Sequence, residues 1–154
     1  MVRLGPKLNI LFLLSMLCAF SAEAQSNQVI DAVLGQPQAK TAELAYLALV
    51  GGGWIDESAS PNEALAIAQA KGWIPKKTTA DAPMDLATFS ALAMRGLRYD
   101  GGLGWILFHA KRYAARELIA RGIANASGGL DRILSGEEAL RMLGKMTSAG
   151  EADQ

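Results

Sequence analysis

The feature that most constrains this chain is a pattern of helix starts and stops that recurs at an offset of 50 residues. Ala64 aligns with Ala114, Ala70 with Ala120, Lys71 with Arg121 and Gly72 with Gly122. Further along, Phe89 aligns with Ala139, Leu92 with Met142 and Ala93 with Leu143. One residue out of phase, Gly53-Trp54-Ile55 aligns with Gly104-Trp105-Ile106. Each unit reads as Gly-Trp-Ile, a helix ending in a basic residue and glycine, a link of thirteen residues, and a capped helix. A helical hairpin that cannot bury its apolar face alone must pack on its neighbours. The expected fold is therefore all-α, with tandem helical hairpins of about five to six helices in total. Residues 41–146 form the repeat domain, in units of about 53–100 and 104–146.

The punctuation supports this division. Ser60-Pro61-Asn62-Glu63 starts a helix: serine caps, proline fits the first turn and glutamate three residues on closes a capping box. Its apolar residues are Leu65, Ile67 and Ala68, and Lys71-Gly72 ends it. Asp85 caps a helix carrying Leu86, Phe89, Leu92 and Ala93. Ser135-Gly136-Glu137-Glu138 opens a last helix in the same way. Leu107, Ala110, Ala114 and Leu118 predict the longest helix over about 106–121. Two shorter helices are expected upstream, over 28–34 behind Asn27 and over 42–50 behind Thr41. The second of these reads as the latter half of a truncated preceding unit. No alternating strand pattern is present, although two-residue ribbons in the links remain open. Residues 147–154 read as a flexible tail.

The first residues have a different purpose. Arg3 and Lys7 precede an apolar run from Leu8 to Phe20, followed by Ala22-Glu23-Ala24. This order reads as a secretory signal peptide over 1–24, with cleavage after Ala24 and export to the periplasm or cell surface. The run is about thirteen residues, against the ~20 that a spanning helix needs. Residues 25–40 then form an N-terminal segment and linker. Fifteen basic and fifteen acidic residues balance, so no broad nucleic-acid footprint is expected. A single cysteine excludes an internal disulfide framework, and a single histidine leaves little material for a zinc enzyme.

The second copy, Ala114–Ile123 followed by Leu134–Leu143, resembles the S-layer homology repeat: a helix ending in Gly-Ile, a link of about a dozen residues, and a capped helix. The first copy offers Ala68–Ile74 and Met84–Ala93. The resemblance implies tandem helical hairpins and attachment to cell-wall polymer through an Ile/Leu-Thr-Arg-Ala-Glu motif at the second helix. The matching stretch here is Leu134-Ser135-Gly136-Glu137-Glu138, with Gly136 at the arginine position and Leu86 in that place in the first copy. The function expected is that of a non-enzymatic exported envelope protein, attaching or scaffolding towards cell-wall glycan or an envelope protein. The alternative is a periplasmic adaptor that binds a protein partner through an apolar groove.

Five residues stand out as candidate ligand contacts. His109, Arg112 and Arg116 fall at i, i+3 and i+7, one stripe of the expected long helix with Lys111 near it, and could hold an anion; the plainer reading is a solvated helix face. Trp54 and Trp105 each follow a glycine, as does Trp73. Such rings either stack on sugars or plug the joint between hairpins. No catalytic, metal or cofactor residues are expected. Asp85, Glu137 and Glu138 sit where helix starts favour acids, and no nucleophile elbow accompanies the histidine.

Overall fold

The computed structural model describes residues 27–152, and within them seven helices are present. They are α1 (27–34), α2 (Thr41–Gly51), α3 (Pro61–Ala70), α4 (Leu86–Gly96), α5 (Leu103–Phe108), α6 (Lys111–Ala120) and α7 (Gly136–Ala152). The expected signal peptide lies outside the described residues. The fold is all-α as expected, with one more helix than the five to six anticipated.

The 50-residue offset appears at atomic level. α3 and α6 begin and end 50 residues apart, and α4 and α7 begin 50 apart. Gly72 and Gly122 both take a left-handed φ, +70° and +68°, beyond the helix ends. Next to each glycine the chain turns back by the same bonds: Trp73 N donates to Ala68 O at 2.9 Å, and Ile123 N to Leu118 O at 2.9 Å. That is the helix-closing turn glycine favours. The Gly-Trp-Ile alignment does not survive. Gly53 lies beyond the end of α2 with φ +67°, whereas Gly104 lies inside α5. The residues occupying equivalent turns are Gly53-Trp54 and Arg98-Tyr99, 45 apart. Trp54 N donates to Leu49 O at 2.9 Å, and Tyr99 N to Met94 O at 2.8 Å. Arg98 accordingly takes φ +53°.

Helices α2, α4 and α7 start around a closed ring of backbone hydrogen bonds. Ala39 N donates to Leu134 O (2.8 Å), Leu134 N to Met84 O (3.0 Å), and Met84 N back to Ala39 O (3.0 Å). Two residues on, the first N–H of each helix reaches the neighbouring link in the opposite rotation. Thr41 N meets Ala82 O, Leu86 N meets Arg132 O, and Gly136 N meets Gln36 O, each at 2.9 Å. Helix starts normally leave such donors orphaned, and here the neighbouring links satisfy them. Two of the three pairings are antiparallel bridges, Lys40 with Pro83 and Asp85 with Ile133. These are the short ribbons left open by the sequence. The ring makes α2 the counterpart of α4, 45 residues on, and through it of α7, 50 further on.

Cap chemistry is partly as expected. Ser60 and Glu63 form the full reciprocal box, and Asp85 accepts from Thr88 N at 2.8 Å. Ser135 accepts from Glu138 N at 3.2 Å, but Glu138 turns away to Arg132, so only half a box forms. Thr41 does not cap α2. Lys40 occupies that position without a side-chain bond, and the Thr41 hydroxyl donates to Ala82 O at 2.7 Å. Asn27 is likewise inside α1. The expected long helix over 106–121 is two helices. His109 adopts φ +47°, ending α5, and extended Ala110 starts α6 with no side-chain cap. Ala110 stands 50 residues beyond Ser60, so the repeat register sets the break where no local signal does. The longest helix is instead α7, which continues through Ala152 where the sequence suggested a tail from 147. Thr147 and Ser148 hydroxyls donate back to Gly144 O there at 2.9 Å, a bond that lets these residues sit inside a helix.

The core gathers Leu44, Leu49, Phe89, Leu92, Leu118, Leu134 and Met142, each fully or almost fully buried. Nine of the eleven residues of α4 are buried, so this helix is enclosed rather than one-faced. Close backbone approach fixes one position. A Cβ on Gly136 would meet Val33 O at 1.6 Å, because the end of α1 presses on the start of α7.

Candidate functional site

Between the turn after α3 and the faces of α4 and α6 lies a cleft of about 390 Å³. Its floor is Ile74 and Ala91, its side wall Trp73, and its rim Gln69, Thr88, Lys76, Arg95 and Lys111. Three cations therefore surround a mostly apolar trough. Lys111 is held over it by Asp85, at 3.6 Å, and by donation to Thr88 Oγ1 at 3.4 Å. Arg95 donates to His109 O at 2.7 Å and lies over the Trp105 ring at 5.3 Å. Burial lowers its pKa from the ordinary arginine value, and a guanidinium stays charged nonetheless.

The turn that carries Trp73 is itself braced. Trp54 and Trp73 meet edge-to-face, centroids 5.3 Å apart at 85°. Lys71 Nζ lies 4.1 Å from the Trp54 centroid and Arg98 4.7 Å from it. Trp54 Nε1 donates to Gly96 O at 2.7 Å. The equivalent pair is Tyr99 with Arg121 at 5.1 Å, a cation–π contact at the next joint.

A second cleft of about 230 Å³ sits 50 residues further on, lined by Gly122, Ile123, Ala124, Glu138, Arg141 and Lys145. Position by position, Glu138 replaces Thr88, Arg141 replaces Ala91, and Lys145 replaces Arg95. Its charged groups are committed internally. Glu138 pairs with Arg132, Arg141 with Glu137 at 2.5 Å, and Lys145 donates to Gly122 O at 2.7 Å. The Glu138 hydrogen bonds raise the Arg132 pKa above its ordinary value.

The sequence candidates separate in space. His109 lies outside α6, so it does not share a helical stripe with Arg112 and Arg116; its backbone carbonyl serves Arg95. Its ring is exposed, 5.3 Å from Trp105. Arg112 and Arg116 are both exposed on α6, and Arg112 sits 5.9 Å from the Tyr113 ring. Trp105 is a plug, only 7% exposed. Trp54 is half-buried and braces the joint. Neither ring lines the larger cleft. Lys111, expected only as a neighbour of that stripe, does, with Lys76 and Arg95, which were missed; the signal available was Arg95 and Lys145 at the same place in the 50-residue register. Carboxylates have structural partners: Asp81 with Lys40 at 2.9 Å, Asp85 with Thr88, Glu137 with Arg141, Glu138 with Arg132. No group of three or more potential metal ligands occurs among the described residues, and no helix there is long and apolar enough to cross a membrane. No family model, no curated protein and no solved structure matches the chain.

Proposed function

We propose that the chain is a non-catalytic, exported attachment module of the cell envelope that holds an anionic glycan in the cleft between α3, α4 and α6. The observation that carries this reading is the set Lys76, Arg95 and Lys111 around an open trough walled by Trp73. Cations with free donors suit carboxylate or phosphate groups on a polymer, and an aromatic wall suits the apolar face of a sugar ring. The resemblance to S-layer homology repeats points to the same class of ligand. It also requires a different cation, because a side chain at Gly136 would collide with Val33 O, and Leu86, the other matching position, is fully buried. A groove rimmed by three cations favours an anionic polymer over an apolar protein segment. The structural partners of Asp85, Glu137 and Glu138 speak for a binding role rather than acid–base work.

Co-sedimentation with purified cell wall tests the reading. Lys76→Ala and Arg95→Ala should each weaken wall binding roughly tenfold, the usual effect of losing one charge-assisted hydrogen bond. Wall binding that is absent in the parent, or unchanged in both variants, overturns it.

A further inference from the structure

We propose that α5 and the start of α6 form a contact for an anionic lipid surface. α5 exposes Leu103 (76%), Ile106 (56%), Leu107 (68%) and Phe108 (62%), four of its six residues. Contiguous apolar exposure of this kind on a small protein marks an interaction site. The helix belongs to an insertion: the link between α4 and α6 has fourteen residues, against nine between α2 and α3. The repeat closes its joint without it in the other copy, so the extra residues serve something other than the frame.

Shape and charge identify the occupant. Trp105 roots the helix in the core at 7% exposure, leaving Leu103, Ile106, Leu107 and Phe108 exposed around it. Phe108 stacks on Tyr113 (5.1 Å, 19°), and the Arg112 guanidinium lies 5.9 Å from the same Tyr113 ring, so cations flank these side chains. Lys111, Arg112 and Arg116 are all exposed. From Arg95 to Arg121 the chain holds six lysines or arginines against Asp100 and Glu117, while the remainder carries nine basic and thirteen acidic residues. Apolar residues ringed by cations fit the boundary between acyl chains and anionic headgroups. A second copy fits less well. A twofold contact would set Arg112 and Arg116 against themselves, and six helical residues offer far less than the roughly 800 Å² per partner of a stable interface. The surface shares Lys111 with the cleft, and the variants that test it leave that residue unchanged.

The experiment is vesicle flotation of the full chain, with pure phosphatidylcholine vesicles and with vesicles of phosphatidylcholine and phosphatidylglycerol. The parent should bind the anionic vesicles, and added salt should weaken the binding. Leu107→Asp with Phe108→Asp should abolish it. Arg112→Glu with Arg116→Glu should reduce it by roughly thirtyfold or more, from the contribution of basic residues near an anionic surface. Both double variants alter exposed positions, and unchanged thermal melts verify the fold; Leu103→Asp alone should give a smaller loss in the same direction. Because every variant carries the same N-terminal segment, a difference between variants reports α5 and α6. Failure of the parent to float, full binding by the aspartate double variant, or equal binding to both vesicle types overturns the proposal. So does a concentration-dependent dimer that the aspartate variant dissolves.

Discussion

The two clefts share a frame and differ in contents. Both are bounded by a helix, a left-handed glycine, and the second helix of the same unit, in the same register. In the first, Thr88 and Ala91 are small, Lys76 is exposed at the rim, Lys111 pairs with Asp85 and Arg95 donates to His109 O. In the second, Glu138 and Arg141 occupy those places and are tied to Arg132 and Glu137, while Lys145 is drawn onto Gly122 O. Duplicated geometry therefore does not give duplicated chemistry. Four differences in register, Ala82 to Arg132, Ala87 to Glu137, Thr88 to Glu138 and Ala91 to Arg141, separate a positively rimmed trough from a site occupied by its own ion pairs.

The sharpest way to break this comparison is at the two tryptophans that the sequence treats as equivalent. Trp105→Ala should cost about 3–5 kcal/mol of unfolding free energy, as emptying a buried aromatic site does. Trp54→Ala should cost about 1–3 kcal/mol, since the ring is half-buried and its chief loss is the bond to Gly96 O. Urea denaturation measures both, and equal costs would contradict the different registers of Gly53 and Gly104. Next in size is a transplant between the clefts. Thr88→Glu places the second cleft's carboxylate in the first, beside Lys111, and should lower wall binding about tenfold, or ~1.4 kcal/mol; sedimentation with cell wall reads the change, and undiminished binding would mean that groove contents do not set the difference.

The smallest effects concern the caps. Ser60→Ala and Ser135→Ala should each cost about 1 kcal/mol in thermal melts. The closed box at Ser60 adds a pH dependence that the half-box lacks. Hydrogen bonds from the Ser60 N–H and hydroxyl hold the Glu63 carboxyl below its ordinary value of 4.5. A depressed carboxyl pKa contributes stability that is fully present above the ordinary value and is lost as pH falls through the lower folded-state value. Glu63→Gln should flatten the acid side of the melting profile slightly. An unchanged profile would mean that the box contributes nothing to it.

Helix starts marked by Ser60 and Asp85 were legible because a side-chain oxygen serving an orphan N–H is a local device. The start of α6 was not, because Ala110 carries no such device and is set by the packing of a repeated unit. The start of α2 was misread for a related reason: the Thr41 hydroxyl looks outward along the sequence as a cap, but a carbonyl 41 residues away takes it. The repeat was visible in the glycines, and its offset proved accurate for the helices and misleading for the tryptophans. The larger cleft was not legible at all. Lys76, Arg95 and Lys111 come from a link and two helices, and nothing short of the packing brings them together.

The ring through Ala39, Met84 and Leu134 has a consequence for copy number. An open stack of repeats can lengthen by adding a unit at either end, and its terminal units need polar caps. Here, among the described residues, the starts of α2, α4 and α7 already hydrogen-bond to one another in a closed circuit, so the hub offers no open edge to extend. Three is the number of helix starts that closes this hub. A fourth copy inserted by gene duplication would have no donor or acceptor left at the hub and would have to hang outside it. Conversely, loss of the segment carrying Gln36 and Ala39 would leave Leu134 O and Gly136 N without partners, so that segment is as necessary to closure as the starts of α4 and α7.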